Sequence, residues 1–272
     1  MKKKDYYMVD LFWIQLLLSF IVGSVWVTLT TIMAERFGSK IGGFIGGLPS
    51  STLVALLFIG WTQTPEIASQ ATTVMPLIIG FGSIFLVAYA IASKRNFITG
   101  LIAALSTWFV LSALVVVFKI ENFAFSIFAW LLTIPISYYI LEKKVNIKSY
   151  GKIKVTYTLL QIIGRAILSG LIIAFAVFMA KFGGPIFGGI FSVFPAIYTS
   201  TLIITYNSGG VEFSRAIAKS LMLNASITII AYTIAVRYFY LISGLLLGTT
   251  IAYAISTAVA YLTYVFINKR MK

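Results

Sequence analysis

The sequence predicts an all-α polytopic membrane protein: about nine transmembrane helices, arranged as two inverted four-helix repeats joined by one extra helix. Three observations carry this prediction. Of the 272 residues, 60% are hydrophobic and only 10% charged, with a mean hydropathy of +1.00. A soluble domain carries about a quarter of its residues as charges. Nine apolar runs approach the ~20 residues that cross a bilayer, and the chain repeats itself at a fixed offset.

The runs cover roughly 11–33, 43–61, 72–93, 97–118, 123–141, 156–180, 187–206, 216–236 and 241–267. The first follows Lys2, Lys3 and Lys4, as a signal peptide would. It is too long for a signal h-region and ends in no small-x-small cleavage site, so it reads as a retained helix. Residues 1–119 then form a first four-helix repeat. Residues 120–155 form a linker helix and a basic cytoplasmic loop, and 156–272 form the second repeat. The Tyr and Trp residues, including Trp26, Trp61, Trp108 and Tyr238, mostly flank spans as an interfacial belt.

Composition excludes several chemistries. The chain has no His and no Cys, so disulfides, thiolate nucleophiles and the usual zinc and haem sites are ruled out. The seven acids, Asp5, Asp10, Glu35, Glu66, Glu121, Glu142 and Glu212, lie at the edges of apolar runs or between them. Acid–base catalysis and Mg²⁺ binding need clustered carboxylates. No phosphate loop of the G-x-x-x-x-G-K-[ST] type occurs. Neither an enzyme nor a cofactor is expected. The net charge of +14 would suggest nucleic acid in a soluble protein. In so apolar a chain it points to membrane topology and lipid headgroups, and no nucleic-acid partner is expected.

Nine spans divide the cations between two sides. One side receives Lys2, Lys3, Lys4, Lys119, Lys181 and Arg237, six in all. The other receives Arg36, Lys40, Lys94, Arg95, Lys143, Lys144, Lys148, Lys152, Lys154, Arg215, Lys219, Lys269, Arg270 and Lys272, fourteen in all. The bias predicts a multi-pass cell-membrane protein with its N-terminus outside and its C-terminus in the cytoplasm.

The repeat appears when Ala34–Glu66 is set beside Ala180–Glu212. At an offset of 146 residues Gly42 and Gly43 meet Gly188 and Gly189, Pro49 meets Pro195, Glu66 meets Glu212 and Gln15 meets Gln161. Downstream, Ile98–Leu101 pairs with Ile242–Leu245 at a shorter offset. Four helices plus the linker helix make an odd number, so the second unit enters the membrane from the opposite side. The charges change sides with it: the loop at Glu66 carries no cation, whereas its counterpart carries Arg215 and Lys219. Inverted repeats are characteristic of transporters, with the site near the midplane.

The stretch from Gly164 to Ala218 resembles the small four-helix membrane proteins of the GlpM-like family. The matching positions are Arg165 early in the first helix, the G-x-x-x-x-F-P segment of Gly189, Phe194 and Pro195, and the G-[IV]-E-x-x-R segment of Gly210, Glu212 and Arg215. The family unit is about half of this chain, so the resemblance implies two units fused through an extra helix. It implies an inner-membrane protein linked to glycerol or exopolysaccharide physiology. The first unit departs from the pattern, with Ser19 in place of Arg165 and Ser69 or Gln70 in place of Arg215.

Candidate working parts follow. Proline interrupts helical hydrogen bonding, and in lipid the freed groups need a partner or a wet cavity. The segments Gly42–Ser51 and Gly183–Thr199 are such interruptions, with Pro49, Ser50, Ser51 and Thr52 beside one, and Pro195, Tyr198, Thr199 and Ser200 beside the other. The bland alternative is close helix packing through G-x-x-x-G pairs such as Gly184/Gly188 and Gly244/Gly248, which would also offer oligomer faces. Arg165, about 14 Å into its helix at 1.5 Å per residue, faces either a cavity or, by snorkelling, the headgroups. If it serves the site, Arg165→Ala abolishes transport and leaves insertion intact. Glu66, Glu212 and Arg215 are either a gate or ordinary helix-terminus charges. Asn224 is either a ligand contact or interhelical glue.

The expected function is therefore a secondary transporter or facilitator of a small solute, an anion among the options. A proton-carrying buried carboxylate or His is missing, whereas sodium coupling through broken-helix carbonyls stays open. The alternatives are a non-transporting membrane scaffold and a lipid translocator. A polar cavity between Pro49 and Pro195 favours transport; a solid interior favours the scaffold.

Overall fold

The computed structural model describes residues 2–36, 45, 47–147 and 158–270, without the side chains of 2–10, 34–36, 220, 224 and 266–270. The glycine-rich opening of the first interruption (37–44 and 46) and the basic run 148–157 lie outside the described residues. Among the described residues every regular element is helical.

The chain opens with α1 (Lys2–Arg36), followed by α2 (Ser50–Thr62), the short α3 (Pro65–Ala71), α4 (Met75–Ala92) and α5 (Phe97–Val117). Next comes α6 (Phe123–Tyr139), extended by a π turn over Ile140–Lys144, and then α7 (Leu159–Phe182) and α8 (Pro185–Ser192). The last helical stretch, Ala196–Arg270, is broken at Gly210 (φ 78°, ψ −176°) and Gly244 (φ 73°, ψ −176°). It therefore comprises α9 (196–209), α10 (211–243) and α11 (245–270). Both breaks sit where a side chain would be strained.

Local chemistry explains the boundaries. Thr64, Asn96 and Asn122 accept from the first-turn N–H groups of α3, α5 and α6. Thr158 and Gln161 form a reciprocal capping box at the start of α7. The end of α5 is closed by Lys119 at φ 50°, with the Ile120 N–H donating to the Val115 carbonyl, a Schellman arrangement.

Six helical stretches are long and apolar enough to cross a membrane among the described residues: Leu11–Met33, Met75–Ala92, Phe97–Val117, Phe123–Lys144, Leu159–Phe182 and Pro185–Val265. The sixth contains the last three expected runs. Two expected runs are not continuous helices. The run 43–61 is represented by α2, which has 13 residues and is too short to cross alone. The run 187–206 divides into α8 and α9 around Pro195, because a proline there cannot extend the preceding ladder.

Helices α1 and α7 pack antiparallel: Phe12 meets Phe182 edge-on at 5.6 Å, while Gly23 lies against Ile173 and Gly170 against Ser24 and Phe20. Two apolar clusters fill the interior. One joins α2, α7 and the later half of α10 through Leu56, Ile59, Val177 and Tyr232. The other joins α4, α5, α9 and the early half of α10 through Phe85, Tyr89, Trp108 and Met222. Lipid is as apolar as these side chains, so close packing rather than water exclusion holds them.

Contacts between loops fix which of them share an end of the bundle. Lys181 approaches the Phe12 ring, and Arg237 approaches Thr72, Thr73 and Phe123. At the other end Arg215 reaches the Ala90 carbonyl and Lys219 pairs with Glu142.

Candidate functional site

Within the described residues, a single proline shapes the first interruption. Pro49, at φ −78° and ψ 54°, lets the Ser50 N–H reach back 2.8 Å to the Leu48 carbonyl, an inverse γ-turn. The Leu53 N–H then donates to the Pro49 carbonyl at 2.8 Å, which starts α2. At the second interruption the Ala196 N–H donates to the Phe194 carbonyl at 2.7 Å, and the Thr199 N–H to the Pro195 carbonyl at 2.9 Å. No side chain caps α2. Its N-terminus carries the positive end of the helix dipole, as does that of α9.

These two helix starts enclose a cavity of ≈ 40 Å³, room for three or four waters at about 10–15 Å³ each. One wall is Leu48, Ser51 and Thr52; the facing wall is Val193, Phe194, Pro195, Ile197 and Tyr198. Ile79 and Gly82 from α4, with Ala225 and Ile229 from α10, close the remaining sides. Hydroxyls of Ser51, Thr52 and Tyr198 supply its side-chain polarity, and among the described residues none that lines it is charged. The Thr52 hydroxyl donates 3.3 Å to the Ser192 carbonyl, and Ser192 donates 2.7 Å to the Gly188 carbonyl. That chain ties α2 to α8. Gly82 leaves space for the Tyr198 ring, since a Cβ there would stand 3.2 Å from Cε2.

Of the residues singled out in the sequence, Ser51, Pro195 and Tyr198 line the cavity, together with Thr52. Pro49 and Ser50 form the turn behind the first wall, and Ser50 is buried. Thr199 is 9% exposed, and its hydroxyl has no hydrogen-bond partner, yet it does not line the space. Asn224 lies on α10 next to Ala225, and its side chain is outside the described residues. Arg165 is half-buried but is not in the wall of this cavity. Its helix begins at Leu159 rather than 156, which brings Arg165 to about 9 Å from the helix start.

The three remaining residues lie at helix starts. Glu66 is in the first turn of α3, where a hydrogen bond with Thr64, then one with its own backbone, holds its carboxyl below the usual range. Glu212 and Arg215 pair through 2.7 and 2.9 Å bonds from Nη1. Arg215 is 8% exposed, and its Nε donates 3.1 Å to the Ala90 carbonyl at the end of α4. A cation there complements the helix C-terminus. The arrangement is a clamp between α10 and α4.

Of the G-x-x-x-G glycines, Gly188 and Gly248 are packed internally, whereas a Cβ on Gly184 or Gly244 would meet nothing within 4 Å. A Cβ on Gly188 would lie 2.5 Å from the Ala180 Cβ, and one on Gly248 would lie 2.8 Å from the Phe239 carbonyl oxygen. Gly189 is tighter still, with 2.0 Å between its would-be Cβ and the Ala71 oxygen. The sequence reading missed Ile79, Gly82, Ala225 and Ile229. The offset of 146 residues contained a signal for two of them, because it pairs Ile79 with Ala225.

The protein family described as "Protein of unknown function (DUF3147)" matches residues 16–123, from within α1 to the first residue of α6. No curated protein and no solved structure matches the chain.

Proposed function

We propose that this chain is a secondary transporter or facilitator of a small solute in the cell membrane, and that the solute passes through the cavity between α2 and α9. The observation that carries the reading is the pairing of the cavity's walls. Leu48 and Phe194, Ser51 and Ile197, Thr52 and Tyr198, and Ile79 and Ala225 all line it, each pair 146 residues apart. A cavity lined by equivalent positions of two halves lies on the pseudo-twofold axis relating them, where inverted-repeat transporters hold their solutes. Two uncharged walls, with hydroxyls and positive helix ends, suit a small anion or another strong hydrogen-bond acceptor.

Further pairings support two inverted four-helix units, 1–119 and 156–272, about a linker helix, and nine spans in all. Ser24 and Gly170, 146 apart, touch where α1 and α7 cross; a two-fold axis requires such self-contact. Ser69 and Arg215, also 146 apart, each bond a backbone carbonyl of the other unit, Arg237 and Ala90 respectively. The register of the last helices differs from the sequence alignment. Gly100 is the fourth residue of α5, and its counterpart is Gly248, the fourth of α11; both press against the end of the preceding helix. The family match to one half of the chain suits a unit of that length, as does the resemblance to GlpM-like proteins. The six-to-fourteen cation count supports an outside N-terminus. The dispersed acids support a non-enzymatic role.

The natural absence of cysteine makes the test direct. Single cysteines at Ser51 and Ile197, in protein reconstituted into vesicles, are treated with a membrane-impermeant thiol reagent from each face. A transporter exposes the cavity to both faces in turn, so both positions label from either side. A second reading, a non-transporting scaffold, is favoured by the cavity's volume of ≈ 40 Å³, which holds water but little else. Absence of labelling from either face would establish that reading instead.

A further inference from the structure

The two halves differ at one pair of equivalent places. In the first half, residues 72–74 interrupt the helix between α3 and α4. The Thr72 N–H turns back to the Ser69 carbonyl and the Thr73 N–H to the Gln70 carbonyl, at 3.1 and 3.0 Å. These are tightened, three-residue bonds. In the second half the corresponding residues, 218–220, lie inside the continuous helix α10, whose non-helical dihedrals are confined to its flanking glycines. The same position of the repeat is therefore bent in one unit and straight in the other.

Each form is held by a different contact, and both contacts involve the linker helix. At the bent end Arg237 donates 3.3 Å to the Thr72 hydroxyl and 3.1 Å to the Thr73 hydroxyl. The Ser69 hydroxyl donates 2.8 Å to the Arg237 carbonyl, and the guanidinium lies 4.2 Å over the Phe123 ring at the start of α6. At the straight end Lys219, the equivalent of Thr73, pairs with Glu142 on the π turn that ends α6. Its ammonium also lies 5.6 Å from the Tyr138 ring. The linker helix thus meets Arg237, which holds the bent segment, with its first residue, and meets Lys219 of the straight segment with its last turns. Its sequence makes these ends unlike, a ring alone against the cation at one and a carboxylate beside a ring at the other.

We infer that these are two latches on one state, and that the second state of the protein exchanges the two forms: residues 72–74 straighten, 218–220 bend, and the cavity opens to the opposite face. This rests on the transport reading above, and deepens it by naming the switch. Two inverted units can trade conformations at little cost, because each form already exists in one of them. Breaking the Arg237 contact favours straightening of the first unit. Breaking the Lys219–Glu142 pair favours bending of the second, so both latches hold the same state and loss of either shifts the protein toward the other one.

The test uses the single-cysteine proteins Ser51→Cys and Ile197→Cys in vesicles, each combined with Arg237→Gln or Lys219→Gln, with Arg237→Lys as a variant that keeps the charge. The readout is the ratio of labelling rates from the two faces. Loss of one partly buried charge contact moves a two-state ratio by roughly three- to fivefold. The expected result is a shift for Arg237→Gln and for Lys219→Gln in the same direction, with Arg237→Lys closer to the parent. Shifts in opposite directions, or unchanged ratios with labelling intact on both faces, overturn the latches and leave transport standing. Labelling from neither face in any folded variant overturns transport and the latches together.

Discussion

On the α2 side of the cavity the chain presents Ser51 and Thr52, while the corresponding places on the α9 side hold Ile197 and Tyr198. The backbones beneath them carry the same two hydrogen bonds, within 0.1 Å of each other: 2.8 against 2.7 Å and 2.8 against 2.9 Å. The turn needs only a proline and two carbonyls, none of which depends on the side chains one and two residues later. Backbone geometry is thus the common element of the two walls, and side-chain chemistry is what differs. The cavity thus has two aliphatic hydroxyls on one side and an aliphatic chain with a phenol on the other.

The comparison can be broken at its tightest point. Gly189→Ala pushes a Cβ to 2.0 Å from the Ala71 carbonyl oxygen, and both partners are backbone. A loss of about 3 kcal/mol is expected, read as a lowered unfolding midpoint in detergent. Gly164→Ala, with nothing within 4 Å, serves as the control and stays within about 0.5 kcal/mol. Equal behaviour of the two variants would show that the halves do not meet as described.

Next in size is the clamp at equivalent positions 69 and 215. Arg215→Met removes a charge-assisted bond to Ala90 and is expected to cost about 2 kcal/mol. Ser69→Ala removes a neutral bond to Arg237 and costs about 0.6 kcal/mol. Glu212→Gln changes little, because its carboxylate is 62% exposed and an exposed pair contributes about 0.5 kcal/mol or less. A reversed order in chemical denaturation would mean that Arg215 acts through Glu212 rather than through α4.

The smallest effects separate the walls themselves. Thr52→Val deletes the hydroxyl that bonds Ser192 and lowers stability by about 0.6 kcal/mol. Gly82→Ala narrows the space beside Tyr198 and costs about 0.5 kcal/mol or less if the ring shifts. Both should slow thiol labelling at Ser51→Cys by more than they alter stability. If labelling is untouched while stability falls, the cavity is a packing defect and not a passage.

Much of this arrangement was legible in the sequence, and the reasons are local. Apolar runs bounded by charges revealed the long helices, and proline with its neighbouring glycines revealed both interruptions. The pairing of Pro49 with Pro195 marked the starts of α2 and α9, and a cavity lies between those starts. What stayed hidden depends on tertiary contact. The shift of the last helices follows from where Gly244 adopts positive φ, which an apolar pattern does not encode. Arg165 stood out because depth along a helix can be counted from sequence. Whether its side chain faces a cavity cannot, and the cavity formed elsewhere. Arg237 looked like an ordinary topology charge, and only the folded chain brings it to Thr72, Thr73 and Phe123.

The crossing of α1 and α7 constrains how such a chain can change over generations. Where Ser24 meets Gly170, two positions 146 residues apart face one another with no room to spare. Any enlargement at one position has to be met by a reduction at the other, so these two sites cannot drift independently. Serine opposite glycine satisfies that constraint, and a larger residue at either place would push the two helices apart.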